Sequence, residues 1–433
     1  TPAAETPWDP SSYVVPPEAG KVRFHDLDLP AELLHAVADL GFRYCTPIQA
    51  EVLPAAIMGR DIAGRAQTGT GKTAAFLLAT MTRLIRSPRS DLRPGRPRAL
   101  VLAPTRELAV QIERDARALG AYTSLTMLAT VGGNDLSRQR AALARASTDL
   151  LIATPGRLLD LYERGVLRLD GVEILVIDEA DRMLDMGFIP DVRRIVYSTP
   201  PRERRQTMFY SATLTELVLR LAEHWTRDPL RVNIEPDRVA AEQIQQIAYV
   251  LTSAEKFPFL CHLLRSESAG RTLIFVNRRD TAERLADALR RAGIAVGLLS
   301  GALSQAQRDR SLADFRAGRS AVLVATDVAS RGLHVEGITT VVNYNIPLDP
   351  EDYVHRIGRT GRAGASGTAI TFASEAESFY LPPIEEFLGH PLTYLQPNPA
   401  WLNPEGLPEF DEAPRTRPPA GRRRPGPPRR ARR

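Results

Sequence analysis

Three groups of residues in this sequence have the types and spacing needed to hydrolyse a nucleoside triphosphate. A glycine-containing loop at residues 66–73 ends in a lysine and a threonine. The acidic run Asp178-Glu179-Ala180-Asp181 follows an apolar stretch, and residues 355–362 carry three arginines between glycines. Loop N–H groups and a lysine bind phosphates, carboxylates hold a metal and orient a water, and arginines neutralise the developing phosphate charge. Together the groups predict phosphate hydrolysis that draws on two domains.

The glycine-containing loop has the context of a P-loop. It reads Ala-Gln-Thr-Gly-Thr-Gly-Lys-Thr, with Ala66 at the position of the usual first glycine, between a short strand-like run and a helical run. Lys72 is expected to reach the β and γ phosphates, and the Thr73 hydroxyl to ligate Mg²⁺. Backbone N–H groups at the helix start favour anions. The candidate nucleotide-binding residues of this loop are Gln67, Thr68, Gly69, Thr70, Gly71, Lys72 and Thr73.

The acidic run would lie where a strand ends, at the sheet edge where open α/β folds bind ligands. Asp178 can hold Mg²⁺, largely through water. Glu179 can polarise the attacking water. Taken alone, such a run is a solvated turn that caps a helix, and its pairing with a P-loop in the same domain favours the metal site.

Composition and charge exclude several classes of protein. No apolar run approaches the ~18 residues that cross a bilayer. Two cysteines, Cys45 and Cys261, are too few for a disulfide framework or a cysteine metal cluster, so we expect a cytoplasmic protein without a membrane partner. The net charge is +5, and residues 413–433 alone contain nine arginines and no acid. A basic tail of this kind can bind nucleic acid through counterion release, and such tails also occur without a specific partner.

Short apolar runs alternate with helical patterns in both halves of the chain, which indicates an α/β protein with two mostly parallel sheets covered on both faces. The predicted strands lie at residues 61–64, 99–103, 150–153, 174–177 and 207–210, and at residues 273–276, 296–299, 321–325, 340–343 and 369–372. The predicted organisation is a disordered lead-in at 1–20, a first domain at 21–232, a linker at 233–243, a second domain at 244–394 and a basic Pro/Arg-rich tail at 395–433. The last twenty residues of the tail are expected to be disordered.

The motifs and their order over residues 24–394 resemble those of the DEAD-box family of ATP-dependent RNA helicases, which takes its name from the tetrad at residues 178–181. The resemblance implies two tandem RecA-like domains, ATP as the nucleotide and Mg²⁺ as the metal. Residues 41–49 resemble the family's Q motif. The resemblance implies that Gln49 reads the adenine edge beside Thr46, and that Phe24, at the aromatic position upstream of the motif, stacks near the base.

The resemblance also implies RNA contacts and a coupling motif. RNA-contacting residues would be Thr105, Arg106, Gly133, Thr154 and Arg157 in the first domain, and Asn277, Gln305 and Thr326 in the second. Ser211-Ala212-Thr213 resembles the motif that links the ATP state to RNA binding through hydrogen bonds toward Asp181. The residues that would couple the domains are Asp181, Ser211, Thr213, Asp327, His355 and Arg356. Individually, these short motifs also suit turns and helix caps.

Arg359 and Arg362 would be arginine fingers at the γ-phosphate, worth ~10³–10⁵ in rate in other NTPases. With Lys72, Asp178 and Glu179 they complete the predicted catalytic set. One position departs from the family: after Arg331-Gly332-Leu333 the pattern calls for Asp, and this chain has His334. Histidine cannot offer a fixed carboxylate to the ribose.

The resemblance implies RNA-stimulated ATP hydrolysis that unwinds short RNA duplexes locally or remodels ribonucleoproteins. Because of His334, a slow-turnover ATP-gated RNA clamp stays open as the alternative, and a DNA helicase of the same superfamily is a third reading. The expected partner is single-stranded or short duplex RNA held by its backbone with little sequence preference, and ribosome or RNA-decay complexes are candidates. We expect a monomer of compact bacterial type, similar to RhlE-like helicases.

Overall fold

The computed structural model describes residues 8–9, 13–66, 70–89, 91–133, 135–213, 215–234, 244–266, 270–301, 303–327, 337–361, 367–402 and 406–410. The chain divides into two compact units, the first up to residue 240 and the second from residue 241. This division falls within residues 233–243, which the sequence analysis interprets as a linker and of which 235–243 lie outside the described residues.

The first unit contains a seven-stranded parallel sheet in the order β3-β4-β2-β5-β6-β1-β7. Its strands are β1 Ile62–Arg65, β2 Ala99–Leu102, β3 Met127–Thr130, β4 Leu150–Ala153, β5 Ile174–Ile177, β6 Gln206–Ser211 and β7 Leu230–Asn233. Its helices are a 3₁₀ turn Phe24–Asp26, α1 Ala31–Asp39, α2 Pro47–Ile57, α3 Lys72–Arg86, α4 Arg106–Leu119, α5 Leu136–Arg145, α6 Pro155–Glu163, α7 Ala180–Asp185, α8 Ile189–Ser198 and α9 Glu216–Trp225.

Alternate residues of the central strands pack into different layers. Val101 and Val176 pack with α1 to α4 in one core cluster, whereas Leu100 and Leu175 pack with α6, α8 and α9 in another. Because side chains alternate along a strand, a continuous apolar run fills both layers. The central strands β2, β4, β5 and β6 are buried at every residue, which is why they could be predicted from apolar runs.

The second unit repeats this architecture with a parallel sheet in the order β10-β11-β9-β12-β13-β8-β14. Its strands are β8 Ile244–Val250, β9 Thr272–Val276, β10 Val296–Leu299, β11 Val322–Thr326, β12 Thr340–Asn343, β13 Gly367–Ala373 and β14 Thr393–Leu395. Its helices are α10 Lys256–Arg265, α11 Arg279–Arg291, α12 Gln305–Arg316, α13 Pro350–Ile357, α14 Leu381–Leu388 and the 3₁₀ turns Ser378–Tyr380 and Pro399–Trp401. The prediction of two α/β units with parallel sheets is therefore confirmed.

The sequence analysis did not predict four strands, β3, β7, β8 and β14. Three of them form sheet edges, and all four have exposed or half-buried residues. Polar residues interrupt β7, which reads Leu-Arg-Val-Asn, and β14 is only three residues long, so neither has a long apolar run. β3 and β8 do contain apolar runs, at residues 127–129 and 247–250, which the sequence analysis did not use. β7 ends at Asn233, one residue beyond the predicted end of the first domain at residue 232.

Described residues near both termini pack against the two units, although residues 1–20 are interpreted above as a disordered lead-in. Val15 is buried, and Arg23 and Tyr44 hydrogen-bond to the chain around it. After β14, Trp401 stacks on His262 and Phe410 stacks on Phe257, so residues 395–402 and 406–410 belong to the second unit. Residues 411–433 lie outside the described residues. Among the helices that are described, none has the length and apolar character to cross a membrane.

Candidate functional site

The order of the strands sets where the candidate residues of the first unit meet. In a parallel sheet the carboxyl ends of all strands share one edge, where open α/β folds bind ligands. The P-loop follows β1, Asp178 follows β5 and Ala212 follows β6, and these three strands are neighbours. The predicted RNA motifs follow β2, β4 and β3, which form the other half of the sheet. The edge thus has a nucleotide half and a nucleic-acid half.

The nucleotide half contains a cavity of about 470 Å³ within the first unit. Its walls combine the Q-motif segment, the start of α3, one face of α4 and the acidic run. The lining residues are Phe24, Gly41, Phe42, Arg43, Tyr44, Thr46, Gln49, Gly71, Lys72, Thr73, Ala74, Leu108, Gln111, Asp115, Asp178 and Glu179. Aromatic and amide groups therefore share one cavity with the lysine and the carboxylates.

Gln49 connects the Q motif to the P-loop. The Thr46 backbone N–H donates to Gln49 Oε1 at 2.9 Å, and Gln49 Nε2 donates to the Gly71 carbonyl at 3.0 Å. Gly71 has a φ of 91°, and a Cβ there would lie 2.5 Å from Gln49 Nε2. Only glycine accepts this backbone and this approach. The amide that we expected to read adenine is thus also a brace of the P-loop.

The aromatic wall of the cavity differs from the expectation in one respect. Phe24 lines the cavity but is 1% exposed, and its ring centroid lies 6.0 Å from that of Phe42. Phe42 is 36% exposed, so it is the accessible ring of the pair. Phe24 supports Phe42, which the sequence analysis did not single out although it stands inside the Q motif.

Lys72 and Asp178 form a buried ion pair at the sheet edge. Lys72 Nζ lies 2.9 Å from Asp178 Oδ1, and both side chains are buried. Burial raises the pKa of the Asp178 carboxyl above its ordinary value, although the charge of Lys72 opposes this shift. Burial acts to lower the pKa of Lys72, but the charges of Asp178 and Glu179 outweigh it and raise the pKa. Lys72 therefore stays protonated.

Glu179 is held in a strained and buried position beside this pair. Its φ of 53° and ψ of 54° are left-handed, which is unusual for a residue with a side chain. Its Oε2 accepts from Arg182 Nη1 at 3.1 Å, and Arg182 is itself buried. Strained backbone of this kind persists where surrounding structure imposes it, often at functional sites. The turn presents the carboxylate into the cavity that Lys72 also lines.

The residues present fit a nucleotide phosphate with a divalent cation. Within the part of the chain that the structure describes, the buried Asp178 Oδ2 has no hydrogen-bond partner. Asp178, Glu179 and Asp181 all act on Lys72 electrostatically, so carboxylates are in excess around it. A buried excess of negative charge with a spare oxygen favours a bound cation. The described residues contain no group of three or more His, Cys, Asp or Glu arranged to hold a metal by themselves.

Asp181 joins the acidic run to the end of β6. Its Oδ2 accepts from the backbone N–H groups of Ala212 and Thr213, each at 2.9 Å. The expected contact between the two motifs is thus confirmed, and it is made through the backbone. Ser211 is fully buried at the end of the strand. A movement of the acidic run would be transmitted directly to this loop.

In the nucleic-acid half, two of the predicted RNA motifs touch. Gly133 has a φ of 74°, and a Cβ on it would lie 2.3 Å from Arg106 Nη1. The guanidinium of Arg106 therefore lies directly on the Gly133 backbone. Thr105 caps α4, because its Oγ1 accepts from the Leu108 N–H at 3.3 Å. The Thr105 hydroxyl therefore already stabilises the start of α4.

Arg157 is positioned by a residue that the sequence analysis missed. Gln139 Nε2 donates to the Val131 carbonyl at 3.0 Å, which leaves Gln139 Oε1 to accept from Arg157 Nη1 at 2.8 Å. Gln139 is 8% exposed. Thr154, the N-cap of α6, is also buried. The sequence offered one indication of a role for Gln139, which is its position in α5 six residues after the pair Gly132-Gly133.

In the second unit, Arg356 is the centre of a buried network. It is 1% exposed and forms a bidentate pair with Asp327, with both distances at 2.6 Å. It also donates to Asn277 Oδ1 and to the Asn345 carbonyl, each at 2.7 Å. Its immediate role is therefore to hold three segments of its own unit together. The direct coupling role that we expected of Arg356 and Asp327 stays a prediction.

The network also occupies Asn277, which we expected to contact RNA. Its Oδ1 accepts from Arg356, and its Nδ2 donates to the Ile346 carbonyl at 2.8 Å. Thr326, our other phosphate contact, is 8% exposed. Arg359 is largely buried, and its Nε donates to the His355 carbonyl at 3.1 Å. These residues lie at one edge of the second sheet, where both amide atoms of Asn277 are already engaged within the fold.

Several candidate residues lie outside what the structure describes. They are Gln67, Thr68, Gly69, His334, Arg362 and the side chain of Gln305. The remaining candidates of the P-loop, Thr70 and Thr73, are described and half-buried.

Comparisons with known proteins agree with this geometry. Residues 46–221 match the family model described as DEAD/DEAH box helicase, and residues 255–364 match the helicase conserved C-terminal domain. The chain is 52% identical to the ATP-dependent RNA helicase RhlB of Pseudomonas aeruginosa over 90% of this chain and 99% of that relative. RhlB of Pseudomonas putida is also 52% identical, over 90% and 98%. Saccharomyces cerevisiae Dbp5 bound to RNA and ADP BeF3 is 32% identical, with a TM-score of 0.76 over 86% of this chain and 95% of that chain.

The chain belongs to the DEAD-box family of ATP-dependent RNA helicases. The expected pair of RecA-like domains is confirmed by the two sheets and the likeness to a solved family member. The bacterial relatives named above carry the name RhlB, so the RhlE-like subtype stays a prediction.

Proposed function

We propose that this helicase couples ATP binding and hydrolysis in its first unit to local strand separation in short RNA duplexes. The observation that supports this most is the single cavity that joins Phe42 and Gln49 to Lys72, Asp178 and Glu179. Base-side groups and phosphate-side groups in one cavity suit a nucleotide. RNA is proposed as the partner because the RhlB relatives are named RNA helicases and the Dbp5 structure contains RNA.

ATP is the substrate of the proposed reaction. Lys72 balances charge on the β and γ phosphates, and Glu179 orients the water that attacks. Thr73 and Asp178 would hold Mg²⁺, which would neutralise phosphate charge when bound. Arg359 and Arg362 from the second unit would stabilise charge on the phosphoryl group. The 2.9 Å ion pair with Asp178 keeps Lys72 charged and in place for phosphate oxygens.

The proposed RNA contacts are made mainly to the sugar–phosphate backbone. Arg106 and Arg157 lie in the nucleic-acid half of the first sheet edge, each beside a strand end. Backbone contacts give little sequence preference and a salt-dependent affinity, with a slope of about −0.7 per neutralised phosphate. Separating each base-pair step would cost about 1.4 kcal/mol, so only a few pairs would be opened in one cycle.

Phosphate release from ATP, measured with and without single-stranded RNA, tests the proposal. We expect strong stimulation by RNA, weak stimulation by DNA of the same sequence, and loss of hydrolysis in Glu179→Gln and Arg362→Ala. Glu216→Gln is the matched control, because this glutamate is 81% exposed on α9 and should leave the rate unchanged. ATP-dependent RNA binding with negligible hydrolysis would refute the helicase cycle. It would support the slow clamp, with His334→Asp as the next variant.

Some finer expectations stay predictions. They are the cytoplasmic location, the monomeric state and an association with ribosome or RNA-decay complexes. Sedimentation of the purified protein tests the monomer directly.

A further inference from the structure

Residues 13–22, here called the N-terminal strap, lie against one wall of the nucleotide cavity. This wall, called the base-side wall, consists of the Q-motif loop at residues 41–49 and the turn that carries Phe24. Val15 of the strap is 3% exposed. Pro16 and Pro17 restrict the strap to extended backbone, because a residue that precedes proline is kept out of the helical region. A segment with a buried anchor and stiff backbone can brace what it touches.

The strap holds the Q-motif loop through Tyr44, which lines the cavity. The Tyr44 hydroxyl donates to the Pro16 carbonyl at 2.7 Å, and the Lys21 ammonium lies 5.2 Å from the centroid of its ring. The next residue, Cys45, donates its backbone N–H to the Val22 carbonyl at 2.7 Å. The loop is therefore fixed by both a side chain and the backbone.

The strap also holds the 3₁₀ turn Phe24–Asp26. Arg23 Nη1 donates to the Val15 carbonyl at 3.1 Å. The same guanidinium donates to both carboxylate oxygens of Asp26, at 2.8 and 2.6 Å. Arg23 thus ties the strap to the turn that carries Phe24, and Phe24 supports the exposed ring of Phe42. Both aromatic and loop components of the base-side wall are joined to one segment.

We infer that the N-terminal strap determines nucleotide specificity, by holding the Q-motif loop and the Phe24 turn in the arrangement that accepts adenine. This inference rests on the proposed recognition of ATP in the cavity. A preformed wall avoids the cost of ordering the loop when ATP binds. A loosened wall loses contacts to its preferred base while it gains none to a competitor, so discrimination falls. Tyr44 and Arg23 act here as positioning residues.

The test compares ATP with GTP as substrates of the full-length protein at saturating single-stranded RNA. Val15→Asp places a charge at the buried anchor and should detach the strap, whereas Tyr44→Phe removes only the hydroxyl that reaches Pro16. If the detached loop is competent about one-fifth of the time, KM for ATP rises about fivefold. We expect a smaller rise in Tyr44→Phe, a kcat within about twofold, and an unchanged KM for GTP. Tyr197→Phe is the matched control, because Tyr197 is 70% exposed on α8.

The ratio of kcat/KM for ATP to kcat/KM for GTP distinguishes a role of the strap from the role of Gln49 in adenine recognition. A lower ratio in both strap variants and in Gln49→Ala supports the inference. An unchanged ratio in the strap variants, with a lower ratio in Gln49→Ala, overturns the inference and leaves adenine recognition intact. An unchanged ratio in Gln49→Ala overturns the recognition proposal itself. A kcat loss that follows a drop in Tm, with the ratio unchanged, shows that the strap only stabilises the fold.

Discussion

The substitution Gly71→Ala should weaken ATP binding far more than one methyl group suggests. Gly71 is the N-cap of α3 and has a φ of 91°. A Cβ at this position would lie 2.5 Å from Gln49 Nε2 and 2.8 Å from Thr46 Oγ1. Both neighbours are side-chain ends and can move, but Gln49 is buried and engaged at both ends of its amide.

The magnitude follows from the backbone strain that alanine introduces and from the hydrogen bonds that Gln49 loses. Alanine in the left-handed region costs about 1 kcal/mol relative to glycine. If Gln49 moves away, its bonds to the Thr46 N–H and the Gly71 carbonyl are lost, at about 1 kcal/mol each. The P-loop can relax without ATP, and binding must then restore the original geometry. The total of about 3 kcal/mol corresponds to an affinity lowered about 10²-fold.

Titration of the protein with a fluorescent ATP analogue measures this change, and circular dichroism checks that the variant is folded. Gly301→Ala is the control, because a Cβ there meets nothing within 4 Å and its φ is not positive. An ATP affinity within about twofold of the unsubstituted protein would refute the reasoning. It would mean that the contact between Gln49 and Gly71 is not part of the binding geometry.

Three further predictions follow from buried groups. Lysine cannot form the bidentate pair with Asp327, so Arg356→Lys should lower the free energy of unfolding of the second unit by about 3 kcal/mol in urea titrations. An equal effect of the surface change Arg290→Lys would contradict the role of the buried pair. Gln139→Ala removes an acceptor of Arg157 and should weaken RNA binding about fivefold in filter assays, with KM for ATP unchanged. Unaltered RNA affinity would disprove the positioning role. Burial raises the pKa of Cys45 to about 12, which disfavours the thiolate. Its alkylation rate, monitored by mass spectrometry, should therefore rise about tenfold per pH unit from about pH 8 to 11, and a rate that levels off above about pH 10 would show an ordinary thiol.

The sequence by itself predicted the chemistry of the nucleotide site, because that chemistry depends on short contiguous motifs. Lys72, Asp178 and Glu179 needed only the P-loop spacing and an acidic run after an apolar strand. The buried central strands were predicted for a related reason, since burial on both faces leaves an uninterrupted apolar run. The edge strand Leu230–Asn233 alternates apolar and polar residues, has no such run and was missed.

The tertiary structure decided which atoms these residues have left to use. Gln49 is shared with the P-loop backbone, Asn277 is committed to Arg356, and the exposed ring of the cavity belongs to Phe42 instead of Phe24. None of these pairings is local, because each joins segments that only the fold brings together. Hydrogen-bond partners at long sequence separation leave no periodic pattern, so no motif could have predicted them.

The separation of the two halves of the site was likewise decided by topology. In the order β3-β4-β2-β5-β6-β1-β7, the strands β5, β6 and β1 are neighbours, and they precede Asp178, Ala212 and the P-loop. The strands β3, β4 and β2, which precede the RNA motifs, form the other half of the sheet. Chain order alone places all three RNA motifs of the first unit between the P-loop and the acidic run. What the sequence determined is therefore the set of functional groups, since these are written in residue type and spacing. What the fold determined is their adjacency, since parallel strands are paired by crossovers whose packing is not local.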